Sequence, residues 1–312
     1  MKTYFHTLLS AAALLMAVSC SPIDDLFSSE DNETKTVSFT IQAGQEQSRA
    51  AGDGNTVDQV HYEVWNKHTG NLVISSITGR DGIEPVKVVD KTATVNVRLV
   101  KGVEYDIAFW AHNEQGTGYL IKDGLENIRL KDGVKANKET YDAFYQVLTN
   151  YKVKEKEEKV ILRRPFGQLN VGTTAEDWKK AKDLDVEIDR STIQITQVAN
   201  VFNARTGEIT RHEGLTQLTF DLEDVLKETF DVKGTAYHYL GMNYFLADTE
   251  KTLHNLTITL NDGTKVVNTL KITNMPIQRN WRTNIIGDLL TAKENFRVLV
   301  EPGFDDDYKE NY

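Results

Sequence analysis

Apolar and polar residues alternate along most of the chain and predict a succession of short β-strands. In the segment Thr36–Gln42, the residues Val37, Phe39 and Ile41 share one face. Successive side chains of a strand point to opposite faces, so this pattern indicates a strand with one buried side. The same alternation occurs in Val60/Tyr62/Val64, Ala93/Val95/Val97/Leu99, Val103/Tyr105/Ile107/Phe109/Ala111, Ile193/Ile195, Leu256/Ile258/Leu260, Val266–Ile272 and Phe296/Val298/Val300.

Turn signals separate these runs. Asp-Gly pairs, which favour tight turns, stand at 81–82, 123–124, 132–133 and 262–263. The runs 93–99 and 103–111 are joined by Val100-Lys101-Gly102, which has the length of a hairpin connection. We therefore expect these two runs to pair as a hairpin.

Three segments have a helical pattern instead. Thr140–Leu148 carries aromatic and aliphatic residues at helical spacing, and Glu223–Phe230 is a weaker case. Thr174–Leu184 begins with a threonine suited to an N-cap and has Asp177 at the capping-box position. Helices are thus expected to be few and short.

A boundary near Arg163 divides the chain into two β-rich halves. The charged run 152–159 is interpreted as a solvated loop between domains, and the strand pattern restarts after it. We predict an all-β fold of two tandem antiparallel β-sandwiches with a few short helices. The predicted divisions are a signal peptide at 1–19, a flexible tether at 20–35, an N-terminal domain at 36–163 and a C-terminal domain at 164–312.

The first residues have the pattern of an export signal. Lys2 precedes the apolar run Leu8–Val18, which has the length of a signal-peptide core and is too short to span a bilayer. Small residues lead up to Cys20, the single cysteine of the chain, and the pair Asp24-Asp25 follows it. The arrangement resembles the lipobox of bacterial lipoproteins, in which the cysteine carries the lipid (palmitate), although Ala17 replaces the usual leucine. Acidic residues after that cysteine resemble a surface-export signal.

Charge and motifs exclude several classes of function. The net charge of −10 opposes nucleic-acid binding, which needs a basic patch. The seven histidines form no close ligand pair, and His61, on a strand face with Gln59 and Glu63, is expected to be solvated. A nucleophile elbow is absent from the sequence. We therefore expect no enzyme activity, no cofactor and no metal site.

Two tryptophans stand on otherwise polar strand faces. Trp65 is in phase with His61 and Glu63, and Trp110 is in phase with Asp106 and His112. Exposed indole rings would offer a stacking platform for sugar rings. The alternative, favoured because indole rings are mostly buried in proteins, is that a loop or helix covers each ring.

Three stretches carry a resemblance to a known family. They are Arg164-Pro165-Phe166-Gly167-Gln168-Leu169-Asn170, the segment from Met275 to Leu290 with its Arg279-Asn280-x-Arg282-Thr283-Asn284-Ile285-x-Gly287 core, and Phe296–Phe304. Together with the lipobox, they resemble the fimbrillin-like lipoproteins of Gram-negative bacteria, the subunits of type V fimbriae. The resemblance implies two transthyretin-like β-sandwich domains in series and a location on the outer membrane surface or in a fimbrium.

The resemblance also implies an assembly mechanism. The subunit is exported with lipid on Cys20, and an arginine-specific protease cuts between Arg49 and Ala50, which removes the strand at 36–42. A strand from another fimbrial subunit fills the vacated groove by donor-strand exchange. Arg49 lies between that strand and the small-residue run 50–54, a setting suited to nicking. A cut there leaves residues 50–312, a chain of 263 residues.

Two alternatives remain open. The chain continues only to Tyr312 after Phe304, which leaves little for a separate donor strand unless 296–304 itself is exchanged. An uncleaved anchor or tip lipoprotein is therefore one alternative. A surface glycan-binding lipoprotein that uses Trp65 and Trp110 is the other.

Overall fold

The computed structural model describes residues 33–44, 54–77, 83–115, 118–131, 135–137, 139–154, 156–211, 215–221, 229–292 and 295–302. Antiparallel sheets dominate this part of the chain, which confirms the predicted all-β fold. The strands of the first half are β1 Thr34–Ala43, β2 Gln59–Asn66, β3 Leu72–Ser75, β4 Val86–Lys87, β5 Thr92–Val100, β6 Glu104–His112, β7 Tyr119–Leu120, β8 Ile128–Leu130, β9 Ala143–Lys152 and β10 Glu158–Leu162.

The second half holds eleven strands and one α-helix among its described residues. The helix is α1 Ala175–Asp183. The strands are β11 Phe166–Thr174, β12 Arg190–Thr196, β13 Ala199–Phe202, β14 Ile209–Arg211, β15 Leu215–Asp221, β16 Thr229–Val232, β17 Thr235–Leu246, β18 Thr252–Asp262, β19 Lys265–Ile277, β20 Trp281–Gly287 and β21 Phe296–Pro302.

Each half packs two sheets around its own apolar core. In the first half, the sheet β10-β1-β5 faces the sheet built from β3, β2, β6 and β9, with β4 paired to β2. The core between them draws all its buried members from residues 37–162. In the second half, the sheets β16-β17-β11-β20-β21 and β15-β12-β18-β19 enclose a core whose buried members lie within 169–290.

A third core joins the two halves. The small sheet β14-β13-β8-β7 combines strands from both halves. Beneath it lie apolar side chains from the outer faces of β2, β6 and β17, among them Trp65, Trp110 and Tyr244, and Phe202 of β13 packs against them. Each main sheet in contact with this core is therefore covered on both faces. The predicted boundary near Arg163 lies between the first two cores and stays a prediction.

The segment predicted as a helix at 140–148 is a strand. A short 3-10 helix at Glu139–Tyr141 is followed by β9. Phe144 packs into the first-half core, whereas Tyr145, on the opposite face, packs edge-on against Phe202 with ring centroids 4.6 Å apart. Because both faces of β9 are covered, apolar residues occupy successive positions and the alternation is lost.

The predicted hairpin at Val100-Lys101-Gly102 is also wrong. β5 pairs with β1, and β6 pairs with β2 and β9, so the connection carries the chain from one sheet of the sandwich to the other. Alternation predicts strands but does not specify partners, and a three-residue link fits either arrangement.

The predicted helix at 174–184 is confirmed as α1, where the Thr174 side chain accepts a hydrogen bond from the Asp177 backbone N–H.

The remaining two expectations have different outcomes. The charged run 152–159 connects two strands of the first half, because β9 ends at Lys152 and β10 begins at Glu158. The weaker helix predicted at 223–230 lies almost wholly outside the described residues, and its last two residues belong to β16.

Candidate functional site

β1 occupies the centre of its sheet. It pairs in parallel with β10, from Phe39 opposite Glu158 to Ala43 opposite Leu162. On its other side it pairs antiparallel with β5, from Thr34 opposite Val100 to Gln42 opposite Thr92. The strand predicted at 36–42 is therefore present and is hydrogen-bonded along both edges.

The inner face of β1 fills the first-half core. Val37, Phe39 and Ile41 are each at most 3% exposed. The Phe39 ring lies 5.5 Å from the ring of Phe109 and 5.3 Å from that of Tyr151, centroid to centroid. Burying an aliphatic or aromatic side chain contributes about 1.5–3 kcal/mol, so these three residues tie β1 firmly into the fold.

The outer face of β1 is polar. The Ser38 hydroxyl donates to the Asn96 side-chain oxygen across the β5 pairing at 2.6 Å, and the Thr40 hydroxyl donates to Glu157. At the start of the strand, Lys101 and Glu33 form an exposed ion pair. These contacts help to align β1 with its neighbouring strands, but they add little to the free energy of unfolding, because exposed polar pairs contribute little to stability.

Two glycines, Gly44 and Gly54, flank the segment that follows β1. Gly44 follows β1 with a φ of 71°, and the next described stretch begins at Gly54 with a φ of 80°. A Cβ at Gly54 would lie 3.2 Å from the backbone oxygen of Ala43, which places the two ends of the intervening segment against each other. The predicted cleavage residues Arg49 and Ala50 lie between them, outside the described residues, as does Cys20.

Trp65 is 2% exposed and lies under a guanidinium group. The Arg205 guanidinium carbon stands 5.0 Å from the centre of the Trp65 ring. That arginine also forms ion pairs with Asp106 at 3.3 Å and with Glu126 at 3.1 Å. A side chain from the second half thus covers the ring.

Trp110 is fully buried in the core between the halves. Its ring packs against Tyr119 at 5.3 Å and Phe202 at 6.0 Å, centroid to centroid, and its Nε1–H donates to Nδ1 of His112 at 2.9 Å. Neither tryptophan presents a ring face to solvent, which matches the alternative in which the rings are covered. The third sheet covers them, and the residue pattern of β2 and β6 does not predict that their outer faces are covered.

The expectation of a solvated His61 is wrong. His61 and His112 are 6% and 3% exposed, and their ring centroids are 5.1 Å apart. Burial lowers the pKa of His61 to about 4, and burial together with the neighbouring His61 lowers the pKa of His112 to about 3. Both rings are therefore neutral at pH 7.

The carboxylates of Glu63 on β2 and Asp106 on β6, which share the outer faces of these strands with the two tryptophans, accept hydrogen bonds from protein donors. Glu63, 1% exposed, accepts hydrogen bonds from the Ser75 hydroxyl at 2.7 Å and from the Leu125 backbone N–H at 2.8 Å. Asp106 accepts from Lys67 and Arg205. These contacts explain how polar residues on β2 and β6 are buried under the third sheet.

The first resemblance motif contains a buried ion pair that sequence reasoning missed. Arg164 and Asp142 both have side chains at 0% exposure. The Arg164 Nε and Nη2 atoms each donate to one Asp142 oxygen at 2.8 Å, and the guanidinium lies 4.7 Å from the centre of the Phe144 ring. Asp142 belongs to the segment predicted as a helix, so no sequence signal linked the two residues.

The first two stretches that carry the family resemblance, residues 164–170 and 275–290, form neighbouring strands. β11 pairs in parallel with β20, with Asn170 opposite Asn284. The Asn170 side-chain N–H donates to the Asn284 oxygen at 2.8 Å, and both residues are at most 2% exposed. Gly167 allows close approach, because a Cβ there would lie 2.6 Å from the Gln278 backbone oxygen. The motifs thus encode the packing of β11 against the segment around β20.

Two features are absent from the described residues. These residues contain no group of three or more metal-ligating side chains close enough to share an ion. Within the same ranges, no helix has the length and apolar character needed to cross a bilayer.

Comparison with known proteins gives one family and several distant structures. The model of a family of unknown function, DUF6562, matches residues 28–312. No curated protein matches the chain. The tip fimbrial protein Mfa3 from Porphyromonas gingivalis, with a C-terminal truncation, is 12% identical with a TM-score of 0.46, and the match covers 86% of this chain and 99% of that one. A fimbrial assembly protein from Parabacteroides distasonis is 10% identical with a TM-score of 0.45, covering 87% and 97%. Similarity this distant does not extend to function.

Proposed function

The chain belongs to DUF6562, a family of unknown function, and we propose that it is a subunit of a cell-surface fimbrium that polymerises by donor-strand exchange. In this proposal, lipid on Cys20 carries the subunit to the outer membrane surface. Cleavage between Arg49 and Ala50 by an arginine-specific protease then releases β1, and the assembled fimbrium supports adhesion.

The central position of β1 is the observation that carries this proposal. A strand removed from the edge of a sheet leaves one edge, whereas removal of β1 would leave the facing edges of β5 and β10 with a gap one strand wide. Strands lie about 4.8 Å apart, so the gap fits one incoming strand that hydrogen-bonds on both sides. The apolar positions vacated by Val37, Phe39 and Ile41 would select an incoming strand with alternating apolar residues.

The geometry beyond β1 is compatible with a cut. The Gly54 backbone lies against the Ala43 oxygen at the end of β1 and against the Phe144 ring, so cleavage between residues 44 and 54 would not displace the rest of the first-half sandwich. After the cut, only hydrogen bonds and packing would hold β1, and a competing strand could replace it.

β21 is a candidate for the donated strand. Among the described strands it is the edge strand of its sheet and pairs only with β20, and it is mostly half-exposed. Its residues Phe296, Val298 and Val300 alternate as Val37, Phe39 and Ile41 do. An edge strand is the easiest strand to detach, because it loses one ladder of hydrogen bonds rather than two.

The test treats the purified precursor with an arginine-specific protease. We expect a product that begins at Ala50, identified by N-terminal sequencing, and higher oligomers in size-exclusion chromatography. The Arg49→Ala variant should remain uncut and monomeric. A precursor that resists the protease near Arg49, or that is cut there and stays monomeric, would contradict the subunit role and favour an uncleaved anchor or tip protein.

A second variant separates cleavage from strand exchange. Ser38 and Asn96 face each other across β1 and β5, so Ser38→Cys with Asn96→Cys, in a Cys20→Ser background, would allow a disulfide to lock β1 in place. The locked protein should be cut after Arg49 yet form no oligomers until a reductant is added. Each single-cysteine variant serves as its control. Oligomers formed by the oxidised, locked protein would show that assembly does not use the β1 groove.

A further inference from the structure

The strand β5 has one edge without a partner strand. It pairs with β1 on one side, and among the described residues no strand forms a ladder with its other side, which we call the open edge of β5. The register with β1 runs from Thr92 to Val100 without a bulge, and the strand contains no proline and a single charged residue, Arg98. Prolines, bulges and several charges are the usual means of protecting an edge strand, so the open edge of β5 retains the capacity to pair.

The hydrogen bonds that flank the β1–β5 ladder show which backbone groups face the open edge. The Lys101 N–H donates to the Glu33 oxygen at 2.9 Å, and the Ala43 N–H donates to the Lys91 oxygen at 2.8 Å. Residues that exchange hydrogen bonds alternate along an antiparallel ladder, so the odd-numbered residues of β5 bond to β1. The N–H and C=O groups of its even-numbered residues therefore point toward the open edge.

Protein groups close the two ends of the open edge. Thr92 and Val89 exchange backbone hydrogen bonds, both of 2.9 Å. At the other end, the Val100 N–H donates to the Tyr105 hydroxyl at 3.1 Å. These contacts limit an incoming strand to the span between Thr92 and Val100.

Three residues within that span present backbone groups to solvent. The outward N–H and C=O groups of Thr94, Asn96 and Arg98 have no hydrogen-bond partner among the described residues. The side chains of all three are exposed, whereas those of Val95 and Val97 between them are buried in the first-half core. An incoming strand therefore finds three successive donor–acceptor pairs that it can reach.

The open edge of β5 is complementary to itself. In an antiparallel pairing of two β5 strands centred on Asn96, this residue lies opposite its own counterpart, and Thr94 lies opposite Arg98 of the second copy. Each outward residue then meets another outward residue, and each such pair exchanges two hydrogen bonds. In the same register Val95 lies opposite Val97 of the second copy, so the apolar face of the sheet continues from one chain to the other.

The distribution of charge also favours a second copy at this edge. The chain has a net charge of −10, so two copies repel each other over most of their surface. Residues 92–100 contain no carboxylate. Their one cation, Arg98, faces the uncharged Thr94 in the pairing centred on Asn96, so no like charges lie opposite each other.

We propose that two copies of the chain associate through the open edges of β5, in an antiparallel pairing centred on Asn96. The sheets β10-β1-β5 of the two copies then form one continuous sheet. Contact through a single strand is a small interface, and small interfaces are weak, so we expect a dissociation constant of about 100 µM. The pairing leaves β1 in place and is independent of strand exchange, and the precursor is still a monomer at the low micromolar concentrations of size-exclusion chromatography.

The test measures the mass of the uncut precursor by sedimentation equilibrium at concentrations up to about 500 µM, a few times the expected dissociation constant. The precursor carries Arg49→Ala, which keeps β1 attached, and Cys20→Ser, which removes its single cysteine. We expect a monomer–dimer equilibrium. Asn96→Pro removes an N–H that faces the open edge and leaves the bonds to β1 intact, so it should weaken dimerisation about tenfold or more.

Two opposite substitutions of Thr94 test the same contact without a proline. Thr94→Lys places a cation opposite Arg98 of the second copy and should weaken dimerisation about fivefold, because the contact occurs twice in the dimer. Thr94→Glu places an anion there and should strengthen dimerisation by about the same factor. Thr269→Lys, at an exposed position of β19, is the matched control and should leave the dissociation constant unchanged.

Disulfide cross-linking tests the register. Opposite Cα atoms of a hydrogen-bonded pair lie about 5.5 Å apart, within reach of a disulfide. A mixture of the Thr94→Cys and Arg98→Cys chains should therefore form disulfide-linked dimers under mild oxidation. Either variant alone should form few, because its two cysteines would lie about 14 Å apart along the paired strands.

Three results would overturn the proposal. One is a precursor that stays monomeric at the highest concentration. Another is a dimer whose dissociation constant is the same in Asn96→Pro, Thr94→Lys and Thr94→Glu, with thermal unfolding showing that each variant is folded. The third is equal cross-linking of the mixed and the separate cysteine variants.

Discussion

At the scale of single residues, the buried pair His61 and His112 makes the first half sensitive to acid. Both imidazoles are neutral in the fold, and Nδ1 of His112 accepts the hydrogen bond from Trp110. Protonation of that atom removes the acceptor and places a charge next to His61, inside the protein. The pair therefore links proton uptake to the packing of a core tryptophan.

We predict that the free energy of unfolding falls as pH drops below about 6.5, the ordinary pKa of histidine. The unfolded chain binds protons there, whereas the folded chain does not until pH approaches the folded pKa values of about 4 for His61 and about 3 for His112. The loss should reach a few kcal/mol by pH 4. Urea denaturation at a series of pH values measures it.

The control for this prediction is the exposed His68. His61→Gln and His112→Gln should each flatten the dependence of stability on pH between 6.5 and 4, and His68→Gln should leave it as in the parent. An unchanged slope in both buried variants would show that other groups cause the acid sensitivity.

At the scale of the element, β1 is distinguished by its two hydrogen-bonded edges and its short apolar face. It is one continuous segment, yet its residues pair with residues 50 to 66 positions onward in β5 and 119 positions onward in β10. Its contribution to stability is therefore made through contacts between distant parts of the chain. A separate peptide with the same sequence can supply those contacts.

We predict that the chain 50–312, expressed without β1, has a lower melting temperature than the precursor, and that a synthetic peptide of residues 33–44 restores it. A ligand that binds only the folded state stabilises it by about 2.7 kcal/mol at a hundredfold excess over its dissociation constant. Thermal unfolding at increasing peptide concentration measures the effect.

A peptide with Phe39→Asp provides the matched control. It places a carboxylate where the Phe39 ring packs between Phe109 and Tyr151, and it should not raise the melting temperature. Equal melting temperatures for the precursor and the 50–312 chain would contradict the role given to β1.

At the scale of the whole molecule, the two halves share a third core. Phe166 and Tyr244 from the second half lie in the same cluster as Trp65 and Trp110 from the first half, and Arg205 bridges to Asp106. Each half nevertheless has a core of its own. The halves should therefore fold separately but expose apolar surface when separated.

We predict that a fragment of residues 164–312 unfolds cooperatively, because its own core is complete, but melts at a lower temperature than it does within the full chain. It should also bind a hydrophobic dye that the full chain does not bind, since its share of the third core is uncovered. Calorimetry and dye fluorescence measure the two effects. An unfolded fragment would show that the boundary near Arg163 does not separate independent domains.

Sequence reasoning succeeded where one face of an element is buried and the other is solvated. β1 and β5 alternate cleanly, and α1 carries its cap in consecutive residues. It failed at β9, where aromatic residues on both faces imitate a helical pattern, and at His61, whose polar neighbours hide its burial. The Arg164–Asp142 pair escaped notice because the structure alone brings these two residues together.

By itself, the sequence determined that the chain is built from short strands, that β1 has an apolar face, and where Cys20 and Arg49 lie relative to that strand. Such features depend on residues close together in the chain, where periodicity and turn chemistry act. Only the tertiary structure decided that β1 is a central strand, that a third sheet covers Trp65 and Trp110, and that Arg164 pairs with Asp142. Strand partners and covered faces depend on contacts between residues far apart in sequence, which alternation along the chain does not encode.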